Sequence, residues 1–307
     1  MNKKKTEPAS KSPPTPDSLT PVGLWWAGAR PKTLGVAIAP VLVGTAAGAL
    51  GDSVRWGRAI AALVVALALQ VGVNYANDYS DGVRGTDKDR RGPVRLVASG
   101  LATPAAVRNA AIIAFASAAI VGGVLALIVT PWLLLGGVAA ILAAVTYTGG
   151  PKPYGYFGLG EVMVLAFFGF VATVGSAYVQ YRHLPAEAWW GALAVGLPAC
   201  AILLANNIRD VPSDIVAGKR TLAVRIGAPR ARLLYVGCLE GALLAIVACG
   251  AWHAWALIAL AAAPLTLTPA RLVRTKSDPP SLVAALVRTV RFQVVLALLL
   301  ALGLRLG

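Results

Sequence analysis

The chain has 307 residues, 57% of them hydrophobic and only 13% charged, with a mean hydropathy of +0.70. A soluble domain is nearer a quarter charged, so an ordinary water-soluble globule is excluded. The formal net charge of +15 would suit a nucleic-acid partner, but Lys and Arg are distributed between apolar runs, which excludes nucleic acid as a partner.

Residues 1–20 are rich in Lys, Pro, Ser and Thr, without an apolar stretch or a cleavage-site pattern. They read as a disordered basic tail, not a signal peptide. Residues 21–307 read as one membrane domain. Apolar runs long enough to cross a bilayer fall near 33–51, 57–78, 105–129, 131–149, 158–180, 189–208, 230–251, 254–273 and 284–304. They lack the alternation of a membrane barrel. Every backbone group must then be bonded within its own segment, which makes the runs helices. The expected fold is an all-α integral membrane bundle of nine transmembrane helices. With the first residues cytoplasmic, only Arg55, Arg58, Arg182 and Arg305 of the 28 Lys and Arg fall in outward segments, the positive-inside pattern. Cys200, Cys238 and Cys249 lie inside spans with neither zinc nor disulfide spacing.

Span 2 closes on NYANDYSD and span 6 on NNIRDVPSD. A carboxylate at bilayer depth costs about 2.5–3.5 kcal/mol and marks a functional site. On a helix, Gln70, Asn74, Asn77, Asp78 and Asp81 share one face, as do Asn206, Asn207, Asp210 and Asp214. Such a stripe must face the bundle interior or a water-filled cavity. In both halves the second helix ends in amides and an Asp pair, followed by a basic loop. This predicts two four-helix pseudo-repeats plus a closing helix around a central cavity open to the cytoplasmic side. Helix capping or interhelical hydrogen bonding would explain either cluster alone. Two Asp pairs at one membrane face suit a pair of Mg²⁺ ions with a diphosphate between them, because Mg²⁺ uses one or two carboxylates together with substrate phosphates.

The loop GVRGTDKDRRGPVRLVASG (82–100) adds Asp87 and Asp89 as further ligands, and Arg84, Arg90, Arg91 and Arg95 for phosphate oxygens. IVAGKRTLAVRIG (215–227) adds Lys219 and Arg220. Between spans 4 and 5, YTGGPKPYGYFGLGE (147–161) brings Tyr147, Tyr154, Tyr156, Lys152 and Glu161 to the same face. Aromatic faces attract cations, which suits a carbocation. Arg30 and Lys32, just before span 1, are placed to reach an anionic acceptor. Glu240, in mid-span 7, reads either as a buried hydrogen-bonded acid or as part of the cavity.

On these motifs the chain resembles the UbiA-type intramembrane prenyltransferases. That family carries N-D-x-x-D after helix 2 and D-x-x-x-D after helix 6, here Asn77-Asp78-Tyr79-Ser80-Asp81 and Asp210-Val211-Pro212-Ser213-Asp214. NDYSDGVRGTD, GPVRLVASG, YTGGPKPYGYFGLGE and NNIRDVPSDIVAGKRTLAVRIG are similar to the branch of 1,4-dihydroxy-2-naphthoate polyprenyltransferases of menaquinone synthesis. The resemblance covers most of residues 24–307. It implies Mg²⁺-dependent transfer of a polyprenyl group from polyprenyl diphosphate to 1,4-dihydroxy-2-naphthoate, with loss of CO₂. The product would be demethylmenaquinol, made in a bacterial plasma membrane with the N-terminus and the active site cytoplasmic. It further implies that Asp78, Asp81, Asp87, Asp210 and Asp214 hold two Mg²⁺ ions, with Lys219 and Tyr147 in catalysis. Substrate contacts would come from Arg30, Asn74, Asn77, Arg84, Lys152, Asn206, Asn207 and Arg220. One departure is Gly85, where the wider family often carries a third Asp; Asp87, with Asp89 beside it, would replace it. The alternatives are another aromatic acceptor, 4-hydroxybenzoate or homogentisate, and an ion or solute transporter, since acidic clusters also mark ion paths.

Overall fold

The computed structural model describes residues 20–86 and 95–306. Most of the basic tail and the loop bearing Asp87, Asp89, Arg90 and Arg91 lie outside the described residues. The helices are α1 (Pro21–Ala29), α2 (Gly35–Gly48), α3 (Trp56–Arg84), α4 (Pro104–Ile128) and α5 (Leu133–Thr148). There follow α6 (Gly160–Tyr181), α7 (Ala186–Val216), α8 (Leu222–Ile226), α9 (Ala228–Gly250), α10 (Ala254–Thr275) and α11 (Pro279–Arg305). No strand occurs among the described residues. Three of the starts are written locally. Thr20, Thr103 and Asp278 each accept a first-turn N–H, from Gly23, Ala106 and Ser281, and each precedes a proline.

Among the described residues seven helices are long and apolar enough to cross a membrane: α3, α4, α6, α7, α9, α10 and α11. The pair α1 and α2, with the 3₁₀ turn Pro31–Thr33 between them, makes an eighth bent by 54°. α5 has 16 residues, fewer than a straight crossing needs. The expected first span is therefore a broken one, entered through a left-handed Arg30 (φ 56°), and the fourth is short. Two expected boundaries also move. α3 and α7 run on past both acidic motifs, α7 despite Pro198 and Pro212, so every motif aspartate stands on a helical turn, as the one-face reading requires.

In each half the second helix packs along the third: α3 on α4, and α7 on α9. The first helices of the two halves, α2 and α6, touch backbone to backbone. A Cβ at Gly44 or Gly48 would stand 2.1 or 2.2 Å from the carbonyl oxygens of Thr173 and Ala177. Small residues allow such closeness where lipid offers no hydrophobic gain for bringing helices together. α11 lies against α2, α7 and α10 and closes a core built on Val195, Leu204, Tyr235, Leu239, Phe292 and Leu296. A smaller core holds Tyr75, Leu96, Val107 and Phe115. At the end of the bundle remote from the aspartates, Arg58 donates to the carbonyls of Val179 and Gln180 at 2.8 Å each. There Arg55 lies 4.1 Å over the Tyr181 ring, and Arg305 binds the carbonyls of Ala49 and Asp52. Two of the four arginines expected outside, Arg58 and Arg305, thus bind chain carbonyls at helix ends, and Arg55 rests on an aromatic ring.

Candidate active site

A cavity of about 1440 Å³ lies between the halves. Its polar end carries Asn77, Asp81, Arg95, Asp210, Asp214 and Lys219; its length is lined by apolar side chains such as Leu69, Leu125, Phe167, Phe168 and Val171. Phe167 and Phe168 belong to a π-helical stretch, Leu165–Val171, inside α6. Such widened turns recur at functional sites. Periodicity could not have found them, because a π turn shifts the register of every later side chain.

The loop after the second acidic motif meets the first motif at Asp81. Its Oδ1 accepts from Lys219 Nζ at 3.0 Å and from Tyr156 Oη at 2.7 Å, and Arg95 Nη2 stands 3.9 Å from its Oδ2. Lys219 therefore crosses from the loop after α7 to the helix of the first motif. Lys219 Nζ also lies 4.7 Å over the Tyr156 ring, a cation–π contact. The Tyr156 carbonyl accepts from Arg220 N at 2.9 Å, so Tyr156 latches the 3₁₀ turn Tyr154–Phe157 to the loop after the second motif. Burial and the Asp81 charge raise the Tyr156 phenol above its ordinary range; burial alone pushes Tyr154 up to about 12. Both phenols are neutral at physiological pH, and Tyr156 donates to Asp81.

On α7, Arg209 holds Asp210 bidentately, Nε to Oδ1 and Nη2 to Oδ2, both at 2.7 Å. Asp214 accepts from Thr221 Oγ1 at 3.3 Å. Asn207 donates to Glu161 Oε1 at 2.8 Å, and Asn206 lines the cavity. Tyr147 lies edge-on to Tyr154, ring centroids 5.4 Å apart. It sits against Gly155, where a Cβ would come within 2.8 Å of the Tyr147 ring.

The sequence profile of the UbiA prenyltransferase family matches residues 37–302. The chain belongs to the UbiA prenyltransferase family. It is 48% identical over 283 residues to 1,4-dihydroxy-2-naphthoate octaprenyltransferase of Mycobacterium tuberculosis, covering 92% of this chain and 97% of that one. It is 44% identical over 280 residues to the enzyme of the same name from Mycobacterium leprae, covering 90% and 94%. The fold is similar to that of a UbiA homolog from Archaeoglobus fulgidus solved with DMAPP and Mg²⁺, with a TM-score of 0.64 at 14% identity over 90% of this chain and 98% of that one.

In this UbiA-family chain, several expected site residues take other work. Asp78, expected as a metal ligand, is not on the cavity wall; it is buried and accepts from Leu96 N and Val97 N. Arg84, expected on phosphate, donates instead to the carbonyls of Thr148 and Gly150, and so ties the end of α5 to α3. Lys152 and Arg220 are exposed and lie off the cavity wall. Asn74 lines the cavity but its Nδ2 donates to Ala29 O at 2.9 Å, and Asn77 accepts from Thr148 Oγ1 at 2.7 Å. Glu240 is exposed on α9, neither buried nor in the cavity. Asp87 lies outside the described residues. Arg30, Asn206, Asn207, Tyr147, Lys219, Asp81, Asp210 and Asp214 all line the one cavity. Arg209 was missed: an Arg beside an Asp in sequence reads as a loop cation until the helix is seen to bury both.

The donor set fits Mg²⁺. Among the described residues no three acidic, His or Cys side chains form a cage by themselves. Mg²⁺ does not need one, since it dehydrates reluctantly and is held by one or two carboxylates with substrate phosphates. Asp81, Asp210 and Asp214 present such hard oxygens to a cavity that also carries Lys219 and Arg95 for the anion.

Proposed function

We propose that this protein transfers a polyprenyl group from polyprenyl diphosphate to 1,4-dihydroxy-2-naphthoate, releasing CO₂ and diphosphate and giving demethylmenaquinol. The observation that carries it is Lys219, five residues after the second motif, lying 3.0 Å from Asp81 of the first, with Asp81, Asp210 and Asp214 all on the wall of one cavity. The names of the relatives support the acceptor, and the neighbour solved with DMAPP and Mg²⁺ supports the metal. We place nine spans in the bilayer, with the short α5 as the ninth, and the polar end on the cytoplasmic side, where the positive-inside bias puts it.

Asp81, Asp210 and Asp214 would hold the Mg²⁺, which supplies charge neutralisation and leaving-group stabilisation when bound. Lys219 and Arg95 fix the diphosphate oxygens, so that positive charge waits where negative charge develops. The allylic C–O bond breaks and its electron pair leaves on the diphosphate. Tyr147, Phe167 and Phe168 present ring faces to the carbocation, and the apolar cavity keeps water from it. Arg30 and Lys32, both on the cavity wall, hold the acceptor carboxylate. The electron-rich ring attacks through its carboxyl-bearing carbon, a C–C bond forms, and the C–carboxylate bond breaks to return its electrons to the ring as CO₂ departs.

The test is mass spectrometry of products from the purified protein in lipid nanodiscs, given a polyprenyl diphosphate, Mg²⁺ and one acceptor at a time. The expected outcome is a prenylated, decarboxylated naphthalenediol and little product from 4-hydroxybenzoate or homogentisate. Equal turnover of those acceptors would overturn the acceptor assignment. Flux of Mg²⁺ through liposomes without any product would return the transporter reading.

A further inference from the structure

Of the four motif aspartates, three line the cavity and Asp78 does not. Asp78 is 1% exposed, and its two carboxylate oxygens accept from consecutive backbone amides, Leu96 N at 2.8 Å and Val97 N at 3.1 Å. Both amides directly follow Arg95. Charge-assisted bonds to paired N–H groups are strong and directional, so this carboxylate fixes a chain segment. Two further contacts hold the same segment. The Leu96 side chain is fully buried in the core with Tyr75 and Phe115. Val97 fits a notch left by Gly82, one turn beyond Asp78, where a Cβ would stand 2.5 Å from Val97 Cγ1. The guanidinium that this clamp projects is the one facing Asp81 across the polar end of the cavity.

We propose that Asp78 is a positioning residue, which docks Leu96 and Val97 on α3 so that Arg95 meets the donor's diphosphate. The inference rests on the prenyl-transfer reading and assigns the first motif's two acids to separate tasks: Asp81 faces the reacting groups, and Asp78 aims the arginine. A metal ligand sets the Mg²⁺ requirement. A positioning residue sets the donor KM and the order of its loop.

The experiment compares Asp78→Asn, Arg95→Ala, Gly82→Ala, Asp81→Asn and the double variant Asp78→Asn/Arg95→Ala in nanodiscs. Steady-state kinetics with polyprenyl diphosphate are measured together with amide hydrogen exchange at Leu96 and Val97. Asp78→Asn, Gly82→Ala and Arg95→Ala should each raise the donor KM about tenfold, the scale of one charged hydrogen bond. They should leave the acceptor KM and the half-saturating Mg²⁺ concentration unchanged. The double variant should be no worse than Arg95→Ala, since groups acting through one contact are non-additive. Exchange at Leu96 and Val97 should quicken in Asp78→Asn and Gly82→Ala but not in Arg95→Ala. Asp81→Asn should raise the Mg²⁺ requirement. The proposal is overturned if Asp78→Asn shifts the Mg²⁺ requirement as Asp81→Asn does, if the double variant is additive, or if the donor KM of Asp78→Asn is unchanged. An unchanged donor KM in Arg95→Ala, with product still forming, also overturns it while leaving prenyl transfer intact. Should Asp78→Asn fail to fold, Gly82→Ala carries the test, because it moves the same segment without touching a charge. Absence of product from the unsubstituted protein is failure of the parent reading.

Discussion

α3 and α7 carry kindred motifs and use them in opposite ways. α7 is the axis of the bundle: 72% of its most apolar window is buried, against 33% for α3. Its acids find partners close in sequence, Asp210 with Arg209 and Asp214 with Thr221. The polar face of α3 finds partners elsewhere in the chain: Ala29, Leu96, Thr148, Tyr156 and Lys219. The acids of the second motif thus have partners on their own helix and in the loop that follows it. The first is a template on which separate segments dock, and its geometry depends on all of them. Kindred motifs in sequence do not imply a repeat in chemistry.

The largest effects should come where the two motifs are alike. Asp81→Asn and Asp210→Asn should each cut product formation by about 10²–10³, the scale of removing one preorganised electrostatic group, measured as turnover in nanodiscs. Near-normal rates in both would break the comparison at its base. Stability should then separate the helices. Leu204→Ala, at a fully buried site on α7, should cost about 2–5 kcal/mol. Ile60→Ala on α3, 58% exposed, should cost under about 0.5 kcal/mol; reversible unfolding in detergent reads both. Smaller again is the latch between the first motif and the loop after the second. Tyr156→Phe keeps the ring beneath Lys219 but removes the bond to Asp81, and should lower turnover about tenfold. Tyr156→Leu, which also loses the cation–π contact, should lower it further.

The smallest expected effect is a pH dependence. Tyr154 is pushed up to about 12 by burial, above its unfolded value near 10. Between these values the unfolded chain has lost a proton that the folded protein keeps. Stability therefore holds below about pH 10 and falls as pH rises toward 12. Thermal unfolding in detergent should show this decline, reduced in Tyr154→Phe.

The sequence by itself settled what depends on one segment at a time. Apolar runs of membrane length, the bias of Lys and Arg, and carboxylates at helix ends each follow from local composition, and they carried the membrane class and the cavity's acids; the resemblance of the motifs carried the family. Tertiary structure alone decided how those side chains divide the work. Asp78 and Asp81 are three residues apart on one stripe and chemically identical. Only the return of residues 95–97 onto α3 gives one of them two backbone amides and leaves the other to Lys219. Arg84 and Arg95 read alike as loop cations until the end of α5 supplies carbonyls to the first and the cavity receives the second. Periodicity fixes which face a side chain occupies. What lies across that face is set by contacts between residues far apart in the chain, and no single stretch of sequence contains them.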